Sequence, residues 1–495
     1  MSNATAQPSE YADNATPVGA VGAFGSPPPI DRPGLLEKTG YAVAPLSLNT
    51  YWQLFMMLQL FFYTDVFGIT PAQAGTMFLV TRFWDAANDP VVGILADKTR
   101  TRWGRYRPWL LWASVPFGVL GVAAFTTPPL GETGKLVYAY VTYSLLGLAY
   151  TAVGIPLASM LGVASRDSAV RTGLSSWNMF GAFVAALFAQ VFTLRLVEYM
   201  GGGTSVEAKQ TGFQYTTLLY SAVAVSALIY AFFVMRERVA PKPADAGPGV
   251  LRSLGQLLTN RAWLVLLGVF MTMCLFMSIR GAAAVFYMKY YFGFGLDGDT
   301  VDLFGLTVAG STAIGIYLGL GSVGCLIGTP LMAPLAKRYS KRWVFFGMLA
   351  FSAIVGALHY PLGREAVFLA LVLQVLVGLF SGPLFVLKSA MLADIADQMD
   401  LKHGHRATGL IFSAASFSFK FGWTVGGAAA GWLLAYYAFE ANVEPRPATV
   451  EGLRLLMSLW PAIPMAIAAI LLVFYPLTEA QVEDNAARLA ERDRA

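Results

Sequence analysis

The chain has 495 residues, of which 56% are hydrophobic and only 13% are charged, and its mean hydropathy is +0.57. Soluble domains carry about 25% charged residues, so this composition excludes a water-soluble globular protein and predicts one that lies in lipid. The net charge of +5 does not indicate a nucleic-acid partner, because the basic residues cluster in alternate loops, where membrane topology requires them.

The N-terminal segment, residues 1–38, has the composition of a disordered chain. It is rich in Ala, Gly, Pro and Ser, contains no basic residue before Arg32 and has no apolar core. These features predict a disordered cytoplasmic tail over residues 1–38 rather than a cleaved signal peptide.

About twelve apolar runs of roughly 20 residues follow, each long enough to cross a bilayer as a helix. They start near Tyr41, Pro71, Pro108, Leu136, Leu174, Phe213, Ala262, Leu306, Trp343, Val367, Thr408 and Leu453. A stretch rich in Pro and Gly divides them, which predicts an N-terminal half (residues 39–235), a cytoplasmic linker (236–261), a C-terminal half (262–476) and a cytoplasmic tail (477–495). We therefore predict an all-α membrane protein with twelve transmembrane helices in two pseudo-symmetric six-helix halves.

The two halves share weak sequence repeats. The segment GILADKTRTRWGRYRPWLL, from Gly93, is echoed by APLAKRYSKRWVFFGML, from Ala333, and each joins the second and third run of its half. The fourth run of each half contains a proline, Pro156 or Pro383. Transporters commonly bind substrate near the membrane midplane at helices weakened in this way. The basic residues in alternate loops predict that both termini are cytoplasmic.

The second run contains three charged residues, Arg82, Asp85 and Asp89, whose spacing of three and four residues places them on one helix face. An ionisable group inside a membrane is costly unless it is paired or hydrated. Two carboxylates one turn apart repel each other, and a proton or a hard cation relieves that repulsion. The pattern favours a cation site. The alternative is that Arg82 neutralises one aspartate and water hydrates the other.

Six short motifs occur in order between residues 41 and 476. They are FFYTDVFG from Phe61, RFWDAANDP from Arg82, RWGRYRPW from Arg102, YTAVGIP from Tyr150, MLADIADQMDLKHGHR from Met391 and FSFKFG from Phe417. Together they resemble the glycoside–pentoside–hexuronide:cation symporter family of the major facilitator superfamily, the family of melibiose permease. The resemblance implies the fold of that superfamily and transport of a sugar with Na⁺ or H⁺ by alternating access, without any cofactor besides the coupling ion.

The resemblance also implies roles for the charged residues. Asp85 and Asp89 would bind the coupling cation, Thr151 would complete the site with a neutral oxygen, and Asn88 would lie beside it. Lys420, in the penultimate run, would face these acids and balance the charge of the empty carrier.

The residues at the expected sugar site depart from the melibiose pattern. The aspartates of the first and fourth spans correspond to Asn49 and Gly154, and the arginine of the fifth span corresponds to Asn178. The pocket therefore keeps amides that can hydrogen-bond an uncharged sugar, and Trp52 and Tyr150 can stack on it. We predict a glycoside or another saccharide as the substrate.

Two alternatives for the substrate stay open. The additional cations Arg280, Lys289 and Lys388 would suit an anionic substrate such as a hexuronide, although Lys289 can also lie near the membrane surface. A lysolipid or another amphiphile is the second alternative, because relatives of this fold keep the acidic pair while losing the sugar contacts.

Charged residues around Asp394 to Arg406, together with the loops at Arg102 to Arg107 and Lys337 to Arg342, predict a cytoplasmic gate whose charges pair when the cavity faces outward and separate when it faces inward. The candidate gate residues are Arg102, Arg105, Arg107, Asp394, Asp397 and Arg406. His403 and His405 lie in the same region, but two histidines without a third ligand do not predict a metal site.

The sequence shows no nucleophile with an adjacent base, no metal cluster and no soluble catalytic domain, so we do not expect an enzyme. A sensor derived from a transporter would be expected to lose the acidic pair or to gain a signalling domain. We therefore predict a monomeric inner-membrane symporter that carries a sugar or glycoside together with a monovalent cation.

Overall fold

The computed structural model describes residues 33–165, 167–239, 255–294, 300–303, 305–403 and 408–492. The N-terminal half contains α1 (Leu35–Gln53), α2 (Pro71–Lys98), α3 (Arg107–Trp112 and Ser114–Ala124), α4 (Glu132–Ala164), α5 (Ser168–Gly201) and α6 (Val206–Val234). The C-terminal half contains α7 (Arg261–Phe286), the strands β1 (Thr300–Leu303) and β2 (Leu306–Ala309), α8 (Gly310–Arg338), α9 (Lys341–Ala357), α10 (Val367–Ser381 and Leu384–His403), α11 (Thr408–Tyr436) and α12 (Pro447–Met457 and Leu459–Val473). A last helix, α13 (Glu479–Arg492), follows.

The predicted all-α membrane architecture is confirmed. Each predicted run overlaps one of the helices α1–α12, and seven of the described helical stretches are long and apolar enough to cross a membrane. The full number of crossings stays a prediction. The predicted N-terminal tail is too long, because α1 already begins at Leu35.

The eighth predicted run begins too early. It was expected near Leu306, but that residue starts β2, and α8 begins only at Gly310. β2 pairs antiparallel with β1, and Val301 lies opposite Val308. Gly305, between the strands, has a φ of 83°, a left-handed conformation that tight hairpin turns require. β2 contains the β-branched residues Thr307 and Val308, which favour a strand. A short hairpin therefore precedes the helix.

The first helix continues beyond Gln53 as a partly π-helical segment. Leu54–Leu58 and Phe62–Phe67 form π-helical turns. The segment ends at Gly68, whose φ of 89° is left-handed and suits glycine. It packs against α7 of the other half, so the irregular part of the chain lies at the boundary between the halves.

Both ends of the described chain lie on one face of the bundle, which we call the terminal face. Arg238, after α6, pairs with Glu37 at the start of α1 at 2.5 Å. Arg492 of α13 pairs with Asp400 near the end of α10 at 2.8 Å. We call the other end of the bundle, where α2 begins, the opposite face.

The halves approach each other closely toward the opposite face, where glycines leave room. A Cβ on Gly431 of α11 would lie 2.6 Å from the carbonyl oxygen of Pro71, at the start of α2. Gly315 of α8 packs directly against the backbone of Val191 in α5. Small residues permit such close approach between membrane helices. These contacts close the bundle toward its opposite face.

A buried charge network also joins the halves at this face. The fully buried Asp65 accepts a hydrogen bond at 2.9 Å from Lys289, whose side chain is 6% exposed. Lys289 also donates to the Tyr290 hydroxyl at 2.9 Å and to Asn442 Oδ1 at 3.0 Å. The Tyr290 hydroxyl donates to Asp65, and Asn442 Nδ2 donates to the Asp65 carbonyl oxygen at 2.8 Å. We call Asp65, Lys289, Tyr290 and Asn442 the opposite-face lock.

Lys289→Met and Asp65→Asn are each expected to lower the free energy of unfolding by about 3 kcal/mol or more, because each leaves a charge buried without its partner. The double variant should recover much of that loss, since neither charge then remains. Unfolding of the purified protein in detergent, analysed as a double-mutant cycle, measures the coupling between the two residues.

Arg446→Gln is the control for the lock. Arg446 pairs with Glu440 at 3.4 Å, but the two side chains are 72% and 60% exposed, so a loss within about 1 kcal/mol is expected. If the Lys289 and Asp65 variants are no less stable than Arg446→Gln, the lock does not hold the halves together.

Candidate functional site

Asp89 of α2 lies at the boundary between the halves and contacts both. Its Oδ1 accepts a hydrogen bond from Thr151 Oγ1 of α4 at 2.9 Å. Its Oδ2 forms an ion pair with Lys420 Nζ of α11, in the other half. The side chain of Asp89 is 23% exposed and that of Lys420 is 40% exposed, so water can reach the pair. The structure thus brings together three of the residues that the family resemblance assigned to the cation site and to charge balance.

Asp85 lies one helical turn before Asp89 and faces α4. It is 8% exposed, and its carboxylate has room because residue 147 is a glycine. A Cβ on Gly147 would lie 2.6 Å from Asp85 Oδ1, closer than real Cβ atoms come to a neighbour. Asn88 has a buried Nδ2 without a hydrogen-bond partner among the described residues. The side chain of Arg82 lies outside the described part of the chain.

This site offers oxygen atoms rather than a cluster of metal ligands. Among the described residues, no three His, Cys, Asp or Glu side chains are grouped so that they could hold a metal ion; the side chain of His403 and all of His405 lie outside that part of the chain. Two carboxylates and a hydroxyl suit a hard monovalent cation such as Na⁺. The repulsion between two carboxylates one turn apart is also relieved when one of them binds a proton.

An aromatic cluster lies beside the ion pair and crosses between the halves. Trp52 of α1 stacks on Phe419 of α11, with ring centroids 5.7 Å apart and planes 16° apart. Trp423 meets Trp52 edge-on at 6.1 Å, and Tyr150 of α4 lies 6.2 Å from Trp52. The sequence predicts Trp52 and Tyr150 as substrate contacts but does not single out Phe419 and Trp423. Their spacing of four residues, on the helix that carries Lys420, could have indicated them.

A small cavity lies next to this cluster, between α1, α2, α4, α7 and α11. Its volume is about 30 Å³, and Phe55, Tyr143 and Ser278 are among the residues that line it. A space of this size holds one or two water molecules and is too small for a sugar ring. A substrate therefore has to approach the cluster from another side or in another arrangement of the helices.

The predicted sugar-binding amides do not share one pocket. Asn49 is half-buried and donates to a carbonyl oxygen one turn back in α1 at 3.0 Å. On α5, Gly181 packs against Ala42 of α1, which places Asn178 roughly 15 Å nearer the terminal face than Asn49 by helix rise. At Gly154 an added Cβ would make only an ordinary van der Waals contact, 3.7 Å from Cδ1 of Leu48.

Arg280 lies inside the C-terminal half and is 5% exposed. Its guanidinium donates to the Met457 carbonyl oxygen and to Gln374 Oε1 at 3.1 Å, and it lies 3.4 Å from His359 Nε2. These partners enclose the charge within the packing of one half. This position differs from the substrate contact predicted for Arg280.

Lys388 of α10 adjoins the aromatic cluster. Its Nζ lies 4.0 Å from the ring centroid of Phe270. Phe270 in turn stacks on Phe419, with centroids 5.9 Å apart. Lys289, the third cation considered for an anionic substrate, instead belongs to the opposite-face lock.

On the N-terminal side of the predicted gate, the described contacts stay within one half. The backbone N–H groups of Arg105 and Arg107 donate to the Glu237 carboxylate at 2.8 and 2.7 Å. The Arg107 side chain donates to the Phe233 carbonyl oxygen at 3.1 Å. The guanidinium of Arg102 lies 4.7 Å from the ring centroid of the neighbouring tryptophan.

On the C-terminal side of the predicted gate, Asp394 pairs with Lys341 at 2.6 Å, which is a contact within the C-terminal half. Asp397 is half-buried one turn further along α10. Arg406 lies outside the described residues. The ion pair between Asp394 and Lys341 joins two segments of the predicted gate, and the opening and closing of that gate stays a prediction.

Comparison with known proteins places this geometry in a family. The family described as MFS/sugar transport protein matches residues 40–479. The inner membrane symporter YicJ of Escherichia coli is 33% identical over 462 residues, which cover 92% of this chain and 95% of that protein. The putative glycoside/cation symporter YagG of Escherichia coli is 33% identical over 450 residues, covering 90% and 93%. The isoprimeverose transporter of Lactiplantibacillus pentosus is 32% identical over 443 residues, covering 89% and 88%.

Solved structures share the fold at low sequence identity. A bacterial homologue of the lysosomal transporter Spinster, inward-facing and unoccupied, has a TM-score of 0.65 at 13% identity and covers 91% of this chain and 97% of its own. A mutant of the nucleoside transporter NupG has a TM-score of 0.65 at 11% identity, covering 89% and 100%. The predicted superfamily fold and the resemblance to the glycoside–pentoside–hexuronide:cation symporters are confirmed. The chain belongs to the MFS/sugar transport protein family, and it is a multi-pass membrane transporter rather than an enzyme.

Proposed function

We propose that the protein is a secondary active transporter that carries a sugar or glycoside together with Na⁺ or H⁺ across the inner membrane by alternating access. The observation that carries this proposal is the position of Asp89, which is held between the Thr151 hydroxyl of its own half and the Lys420 ammonium of the other. The names of the relatives support it, since they are an inner membrane symporter, a putative glycoside/cation symporter and an isoprimeverose transporter.

The cation binds to the carboxylates of Asp85 and Asp89 and to the hydroxyl of Thr151. Either Na⁺ or a proton relieves the repulsion between the two acids. The arriving positive charge replaces the Lys420 ammonium at Asp89, because two cations at one carboxylate repel each other. Cation binding thereby breaks the ion pair that links α2 to α11, and these helices belong to different halves.

The substrate binds against the aromatic cluster. Phe419, which stacks on Trp52, directly precedes Lys420 in α11, so a shift of the lysine also moves the ring. Cation and substrate therefore bind best to the same arrangement of α11. Such coupling is reciprocal, because each ligand changes the affinity for the other by the same factor.

Alternating access follows from the two faces of the bundle. The charges of the loops support cytoplasmic termini, so the terminal face is the cytoplasmic one. The opposite-face lock then closes the outer side, while Asp394 and Arg107 keep partners in their own halves. A closed outer side suits a substrate site that opens toward the cytoplasm, and the outward-facing state would separate Asp65 from Lys289.

Asp89→Asn should abolish uptake against a gradient while leaving some downhill exchange, because the substrate contacts are on other residues. Asp85→Asn should act in the same direction but more weakly, since Asp89 is the acid that pairs with Lys420. The measurement is uptake of a panel of labelled glycosides into membrane vesicles with an imposed Na⁺ or H⁺ gradient.

Glu132→Gln, at an exposed acid on the first turn of α4, is the control and should accumulate substrate normally. If protein with both Asp85→Asn and Asp89→Asn still accumulates a glycoside against its gradient, the acids are not the coupling site. Uptake of a lysolipid that no glycoside inhibits would favour an amphiphile symporter instead.

Gly147→Ala should raise the cation concentration for half-maximal uptake by about tenfold, which corresponds to about 1.4 kcal/mol. The added Cβ would lie 2.6 Å from Asp85 Oδ1, so the carboxylate has to leave its position. Gly162→Ala on the same helix is the matched control, because a Cβ there meets nothing within 4 Å. Both changes favour the helix by about 1 kcal/mol, so a difference between them reports the displaced carboxylate. If both variants depend on cation concentration in the same way, Asp85 does not bind the cation.

A further inference from the structure

Lys388 lies deep in the bundle, where no described residue supplies a counter-charge. It is on the second segment of α10, about four turns, or roughly 22 Å, before that segment ends. The side chain is half-buried, and its Nζ lies over the face of the Phe270 ring. Among the described residues, no carboxylate, carbonyl or hydroxyl oxygen makes a hydrogen bond or an ion pair with this nitrogen.

The other cations inside the bundle are in different environments. Lys420 has the carboxylate of Asp89, and Lys289 has the carboxylate of the opposite-face lock. Arg280 is enclosed by a carbonyl and an amide oxygen. The face of an aromatic ring stabilises a cation only in part, and a lone ammonium at this depth is costly. The N–H donors of the Lys388 ammonium are therefore available to an acceptor group that enters the bundle.

A row of aromatic rings connects Lys388 with the proposed substrate site. Phe270, under the ammonium, stacks on Phe419 with centroids 5.9 Å apart and planes 21° apart. Phe419 stacks on Trp52 with centroids 5.7 Å apart. A sugar that lies along the edge of this row has its substituents within reach of the Lys388 ammonium.

We propose that Lys388 binds an anionic group of the transported substrate, so that the substrate is an acidic sugar or glycoside with a carboxylate or sulfonate. This inference rests on the proposed function, because it assigns the substrate class of the same site. An ammonium forms charge-assisted hydrogen bonds to such a group, and these are shorter and stronger than bonds to the neutral hydroxyls of an uncharged sugar. The anion also supplies the counter-charge that the described residues do not give to Lys388.

Isothermal titration calorimetry on the purified full-length protein, at fixed Na⁺ concentration and ionic strength, tests the proposal with matched probes. One pair is para-nitrophenyl β-glucuronide and para-nitrophenyl β-glucoside, which differ only at C6, where a carboxylate replaces a hydroxymethyl group. The corresponding galacturonide and galactoside form a second pair. The acidic member of at least one pair should bind about tenfold more tightly, as expected for one charge-assisted contact.

Lys388→Gln should weaken only the acidic probe, and Lys388→Arg, which keeps the charge, should retain the preference. Equal affinities within both pairs in the unmodified protein, or tighter binding of the neutral members, would overturn the inference and leave sugar symport standing. Equal weakening of both members by Lys388→Gln would also overturn it. If no probe binds the unmodified protein, the proposed function itself fails and the inference with it. The comparison in the unmodified protein stands even if Lys388→Gln does not fold.

Discussion

The ion pair between Asp89 and Lys420 sets the condition on which the rest of the structure depends. A charged group within a membrane-spanning bundle is tolerated only when it is paired or hydrated. Asp89 meets this requirement with a partner from the other half, so moving the halves apart at this level leaves its carboxylate to water alone unless another charge takes the place of the ammonium. Phe419 and Trp52 are brought together beside that pair because Phe419 is the next residue to Lys420. The position of the aromatic cluster thus follows from the position of the ion pair between Asp89 and Lys420.

Among the described residues, two ion pairs cross between the halves, and they differ in how far their side chains are exposed to solvent. The side chains of Asp65 and Lys289 are 0% and 6% exposed, whereas those of Asp89 and Lys420 are 23% and 40% exposed. A buried pair that is separated leaves two charges without solvent, and this is costly. A pair in contact with water can exchange its partner at a much smaller cost. The buried pair is therefore suited to holding the bundle closed, and the hydrated pair to being exchanged in each cycle.

Features that depend on one stretch of chain could be predicted from the sequence. The apolar runs follow from helix length and composition, and the shared face of Asp85 and Asp89 follows from helix geometry. The contact of Asp89 with Thr151 required the family resemblance, because the two residues are 62 positions apart. The β-hairpin was missed because four apolar and β-branched residues before a long helix do not differ in hydropathy from the helix itself.

Other contacts could not be predicted, because they join distant parts of the chain. Asp65 and Lys289 are 224 residues apart, and neither local sequence indicates the other. The enclosure of Arg280 depends on two oxygen atoms and a histidine nitrogen from later segments, so its charge alone suggested a ligand contact that the packing does not provide.

The π-helical turns of the first helix have a mechanical consequence. Helices commonly kink at such turns. Leu54–Leu58 lies between Trp52, in the aromatic cluster, and Asp65, in the lock, and Phe62–Phe67 contains Asp65 itself. The first helix can therefore kink at these turns instead of moving as one straight helix. Under the proposed function, a substrate can bind against the middle of this helix without pulling directly on the end that carries the opposite-face lock. Opening the lock would then involve a rotation of one half as a body, so that the central site is not exposed to both sides of the membrane at once.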